Sequence, residues 1–144
     1  NMGILERNEV ELFEGVREEL QKIKQLGIKQ GIVTSKRGES LMVSINLMGL
    51  QDVFDIFVVK EDTTNNKPHP EPILYACDRL GVLVERTMYV GDAIGDIRCA
   101  QNAGCDSVFV LWSRMPHDQI LALNPTYALK EINDLSCIIR GCDL

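Results

Sequence analysis

Four times in this chain a glycine directly follows a stretch whose apolar residues recur at helical spacing, and each time a β-rich run comes next. Val16, Leu20, Ile23 and Leu26 precede Gly27, and Leu41, Ile45 and Met48 precede Gly49. Ile73, Leu74, Cys77 and Leu80 precede Gly81, and residues 94–103 precede Gly104. A glycine past the last turn is the usual left-handed stop of a helix. The runs that follow predict strands over 28–34, 54–59, 87–90 and 107–112. Pro70 and Pro72 suit the opening turn of the third helix. Beyond 112 the pattern predicts a helix over 117–123, a short edge strand over 127–129 and a last helix over 133–140. Helix and strand in strict alternation specify an α/β, three-layer Rossmann-like fold, a parallel sheet with helices on both faces. A length of 144 residues accommodates one such domain, and no linker or low-complexity tract divides it.

Composition narrows the function classes. Charged residues make up 25% of the chain and the net charge is −6, the wrong sign for nucleic acid or an anionic membrane. No apolar run approaches the roughly 18 residues that span a bilayer. The five cysteines include no Cys-x-x-Cys, which fits free thiols in a reducing compartment and a cytoplasmic location.

In open parallel sheets, ligands bind at the carboxyl ends of the strands. Thr34 stands at one such end, followed by Ser35, and Asp92 at another, with Asp96 four residues later in Gly91-Asp92-Ala-Ile-Gly95-Asp96. Two carboxylates there suit a hard cation such as Mg²⁺, which takes oxygen ligands and keeps several waters. Alternatively, Asp92 caps the helix that follows, with Asp96 in its first turn. Lys67, in Lys-Pro-His-Pro, can balance a phosphate and a carboxylate, or be a solvated loop lysine. Thr34 and Ser35 offer hydroxyls and N–H groups to phosphate oxygens, or Thr34 caps the next helix. His69 and His117 stand isolated and suit loop or surface roles. Trp112 suits the core or a pocket wall.

Thr-Ser-Lys at a strand end, then Lys-Pro-His-Pro, then Gly-Asp-x-x-x-Asp resembles the second, third and fourth motifs of the haloacid-dehalogenase-like (HAD) hydrolase superfamily. The tone is closest to its phosphoglycolate-phosphatase-like and pyrophosphatase-like branch, and the likeness runs from about residue 12 to about residue 135. The resemblance implies a Mg²⁺-dependent phosphomonoesterase core acting on a small phosphorylated substrate. Thr34 would bind the phosphoryl group with Ser35, and Lys67 would stabilise negative charge. Asp92 would ligate Mg²⁺, and Asp96 would do so directly or through water. A phospho-acceptor receiver shares Asp, Thr and Lys but places its acidic cluster first, whereas here the carboxylate pair comes last.

The chain departs from the family in one respect. The first motif, Asp-x-Asp-x-Thr/Val, carries the nucleophile on the first, central strand, and no Asp-x-Asp occurs in these residues. Glu9, Glu11 and Asp62 are its nearest echoes and none can be assigned as nucleophile. Residues 1–12 resemble the return from the family's helical cap. The expected architecture is therefore a HAD-like core without its usual first central strand, catalytically silent by itself or serving as a phosphate- and metal-binding module. Unpaired backbone in mid-sheet is costly. The gap is accordingly expected to close directly, to be filled by residues 3–12, or to be filled by a second chain in a homodimer.

Overall fold

The computed structural model describes residues 15–142. The expected alternation is present as α1 (Val16–Gln25), β1 (Gly31–Val33), α2 (Gly38–Met48), β2 (Ile56–Val58), α3 (Glu71–Leu80), β3 (Met88–Gly91), α4 (Ile94–Ala103), β4 (Asp106–Val110), α5 (His117–Leu121), β5 (Tyr127–Leu129) and α6 (Asp134–Ile139). The first two strands are three residues each, shorter than their β-rich runs, because pairing extends only where β1 and β2 lie side by side. Gly49, Gly81 and Gly104 adopt positive φ at the ends of α2, α3 and α4, as their positions require.

Among the described residues all strand pairs are parallel, but the strands fall into two sheets, β1–β2 and β3–β4–β5. Direct closure of the gap, one of the three expected outcomes, does not occur: β1 and β3 are not paired. Residues 3–12, the second candidate filler, lie outside the described residues. Backbone groups alternate sides along a strand, and in β1 the even positions serve β2. The Thr34 N–H donates to the Val58 carbonyl (2.9 Å), and the Gln30 carbonyl accepts from the Asp55 N–H (2.7 Å). Gly31 and Val33 therefore turn their backbone groups towards β3. Between the two edges lies a cavity of about 750 Å³, walled by Gly31, Val33 and residues 88–90 and closed at its sides by Ile73, Cys77, Leu135 and Ile139. Tyr89 bridges it, its hydroxyl donating to the Val33 carbonyl (3.3 Å).

Two cores hold the halves together, one on each face. Ile32 and Val90 point into a cluster with α1, α2 and α6, built on Leu20, Ile45 and Leu135. Their neighbours Val33 and Tyr89 point the other way, onto Ile73 and Cys77 of α3 and Cys99 and Ala100 of α4. The period-2 alternation of strand side chains thus places helices on both faces. A smaller cluster of Ile97, Phe109 and Ile120 sits under α4 and α5. Glu19 of α1, 2% exposed, accepts from the Ser136 N–H in the first turn of α6 at 2.6 Å. A carboxylate at a helix N-terminus satisfies a donor that the helix cannot satisfy itself. No helix among the described residues is long and apolar enough to cross a membrane.

Candidate functional site

Asp96 is the organising side chain. It sits in the first turn of α4 with its side chain 3% exposed, and both carboxylate oxygens are engaged. Oδ1 accepts from Lys67 Nζ at 2.7 Å. Oδ2 accepts from the N–H groups of Asp92 (3.1 Å) and Ala93 (3.2 Å). Burial alone would raise the Asp96 pKa, but the Lys67 charge and hydrogen bond, with the Asp92 N–H, outweigh it and hold the carboxyl below its usual range. The capping role considered for Asp92 therefore belongs to Asp96, which reaches back over the start of its own helix.

Gly91 explains how Asp96 can lie so close to the strand. A Cβ built at position 91 would stand 2.2 Å from the Asp96 Cβ, well inside contact distance. Gly91→Ala is accordingly expected to push Asp96 off Lys67 and to destabilise the fold by about 1–3 kcal/mol, the usual cost of overpacking. Urea unfolding, with a crystal structure to locate Lys67 Nζ, checks both parts.

Lys67 is delivered by a loop sewn to α4. Along one face of that helix, three and six residues beyond Asp96, the Cys99 thiol donates to the His69 carbonyl (3.2 Å) and Asn102 Nδ2 to the Pro68 carbonyl (2.9 Å). Burial pushes the Cys99 thiol up to about 11, so it remains a donor at neutral pH. His69 Nδ1 accepts from the Glu71 N–H (3.0 Å), fixing the entry into α3. The Lys67 ammonium also lies 6.0 Å from the centroid of the Tyr89 ring, a favourable cation–π approach.

Asp92 follows β3 directly and is 4% exposed. Its carbonyl accepts from the Ser113 hydroxyl at 2.6 Å, and Ser113 in turn accepts from the Met115 N–H (3.1 Å). His117 Nε2 lies 2.8 Å from the Ser113 carbonyl, and its ring meets Phe109 edge-on at 5.3 Å. His117 is thus a strut rather than a ligand. Ser113 is a residue that sequence reasoning misses, although it stands past the end of β4, where the rule that singles out Thr34 and Asp92 would find it.

Thr34 continues β1 and is 5% exposed, its hydroxyl accepting from the Lys36 N–H at 3.1 Å. It therefore shapes the turn before α2 rather than capping the helix, whose N-cap is Arg37. Ser35 lies exposed in that turn. The structure thus brings Lys67 and Asp96 into contact, ties Asp96 to Asp92, and sets Thr34 at the carboxyl end of the neighbouring sheet. No group of three or more His, Cys, Asp or Glu among the described residues could hold a metal by itself. Asp92 with waters and phosphate oxygens still matches the habit of Mg²⁺, which needs only one or two protein carboxylates.

Comparison with known proteins shows the family. The family model described as haloacid dehalogenase-like hydrolase matches residues 2–110. The pyrophosphatase PpaX of Halalkalibacterium halodurans is 37% identical over 130 residues, covering 90% of this chain and 60% of that protein. The pyrophosphatase PpaX of Bacillus mycoides is 38% identical over 130 residues, with the same coverage. A HAD phosphatase from Thermococcus onnurineus superposes with a TM-score of 0.81 at 26% identity, covering 97% of this chain and 64% of that one. The chain spans about three-fifths of the length of the curated relatives it matches. By the extent of the family match and by the motifs it contains, this chain belongs to the haloacid dehalogenase-like hydrolases.

Proposed function

We propose that these residues form the phosphate- and Mg²⁺-binding part of a phosphatase acting on a small phosphorylated substrate, with pyrophosphate a candidate on the strength of the PpaX relatives. The observation that carries the reading is the 2.7 Å Lys67–Asp96 pair, locked through backbone N–H groups onto the loop of Asp92. Phosphoryl transfer depends on positioning and charge neutralisation more than on covalent work by the protein. Lys67 supplies the positive charge, and Asp96 fixes where that charge points. Thr34 and Ser35 offer hydroxyls and N–H groups to the phosphoryl oxygens. Asp92 would hold Mg²⁺, and Asp96, with both oxygens engaged, would act on the ion directly or through water. Bound there, Mg²⁺ would neutralise phosphate charge and orient the oxygens.

Covalent catalysis in this family needs an aspartate nucleophile, and the sequence contains no Asp-x-Asp. In our reading the domain is a three-layer core without its central strand, and the cleft between β1 and β3 is where that strand belongs. Residues 3–12 or a second copy of the chain are the candidate fillers. Turnover then requires a carboxylate that the motifs at Thr34, Lys67 and Asp92 do not supply. The second reading, a binding module without turnover, follows from the same observation.

The test measures phosphate binding by calorimetry, and hydrolysis of p-nitrophenyl phosphate and pyrophosphate, each with and without Mg²⁺. Inorganic phosphate is expected to bind when Mg²⁺ is present. In Asp92→Asn the affinity should fall by roughly tenfold or more, since a contact to a charged group contributes about 1.5–3 kcal/mol. Hydrolysis by the 144-residue chain is expected to stay at background. Hydrolysis that Asp92→Asn abolishes would instead establish an attacking group within this chain. Phosphate binding indifferent to both Mg²⁺ and Asp92→Asn would refute the site itself.

A further inference from the structure

Helix α6 ends in a Schellman motif whose two side-chain contact positions are both cysteines. Gly141 adopts φ 87° just past the C-cap residue Arg140. The Cys142 N–H donates to the Cys137 carbonyl (2.9 Å), and the Gly141 N–H to the Ile138 carbonyl (2.9 Å). That pair of bonds folds the chain back so that the side chains at 137 and 142 meet, a place where an apolar contact is usual. Here both contact positions carry thiols instead. Cys142 is exposed and Cys137 half-buried, whereas Cys77 and Cys99 are buried.

We propose that Cys137 and Cys142 are a dithiol site that closes reversibly to a disulfide across the end of α6, with a small-molecule disulfide such as oxidised glutathione as the oxidant. The exposed Cys142 thiolate attacks one sulfur of the oxidant, and reduced glutathione leaves with its electron pair and takes up a proton. Cys137 Sγ then loses its proton and attacks Cys142 Sγ, displacing the second glutathione. Two protein thiols are oxidised by two electrons, and one glutathione disulfide is reduced to two thiols. The order of attack follows from exposure, Cys142 being open to the oxidant and Cys137 half-buried. Cys105, which burial pushes up to about 12, is a poor competitor. Closure ties down the last turn of α6, whose Ile139 lines the cleft between the two sheets. The site is independent of the phosphate-binding reading and stands or falls separately from it.

Arg140 lies between the two cysteines and makes the test simple. The chain is incubated with oxidised glutathione, its thiols are counted after denaturation, and a tryptic digest is weighed with and without reductant. Free thiols are expected to fall from the five present in the sequence to three. The peptides on either side of the cut after Arg140 should stay joined until reduced. Cys137→Ser and Cys142→Ser should each abolish that link and leave four thiols or three plus one glutathione adduct. Five thiols persisting in the unsubstituted chain, stable adducts on both cysteines, or a dimer linked through Cys142 would each overturn the proposal.

Discussion

Asp96→Ala is expected to lower the free energy of unfolding by about 3–5 kcal/mol at neutral pH, the cost of removing one partner from a buried ion pair. The side chains of Lys67 and Asp96 are 11% and 3% exposed, too little for solvent to screen the loss. The substitution takes away a counter-charge and the acceptor of the Asp92 and Ala93 N–H groups together. Asp96→Asn keeps the shape and one acceptor oxygen, so it should cost less. Urea denaturation of the three proteins measures both effects. The pH dependence gives a second check. The folded-state pKa of Asp96 lies below the ordinary value of 3.8, so its contribution is complete above that value. As pH falls, the unfolded chain takes up the proton first, and the contribution is lost down through the folded pKa. Asp96→Ala should flatten this part of the stability profile, and a profile identical to that of the unsubstituted chain would sink the assignment.

Phe109→Ala is expected to cost about 3–5 kcal/mol as well, the usual penalty for emptying a buried aromatic site. Phe109 is fully buried, packs with Ile97 and Ile120, and is paired across the sheet with Gly91. It therefore supports both the strand that ends at Asp92 and the helix that opens with Asp96. Its edge-on contact with His117 adds to the loss. Beyond the drop in stability, the variant should weaken Mg²⁺-dependent phosphate binding, because Ile97 lies one residue past Asp96. Phe109→Leu, which refills most of the volume, should recover most of both. Equal losses in the leucine and alanine variants would mean that volume is not what Phe109 supplies.

Most of the element order is legible in the chain's local patterns. Gly49, Gly81 and Gly104 mark the ends of helices because only glycine takes positive φ without penalty. The strand ends at Thr34 and Asp92 follow from apolar runs and the rule for parallel sheets. The same runs overstate the lengths of β1 and β2. An Ile- and Val-rich stretch shows where a strand can form, and its partner shows how far it does. The candidate site is legible as a set of residues, but the contacts among them are not. The Thr34 hydroxyl accepts from the Lys36 N–H, and Asp96 does the capping that is the alternative reading of Asp92. The hydrogen bonds from Cys99 and Asn102 that hold the Lys67 loop have no local signature at all, and Ser113 has only its place past a strand end.

The sequence by itself determined the alternation of helix and strand, the glycine stops and the family positions of Thr34, Lys67, Asp92 and Asp96. Those signals are local, encoded in periodicity and in the conformations that single residues allow. Only the tertiary structure decided that Lys67 meets Asp96 across 29 residues and that Glu19 caps α6 across 117. It also decided that the described parallel strands stand as two sheets with a cleft between β1 and β3. Contacts of that range depend on which strands lie side by side, and neighbouring residues carry no record of that order.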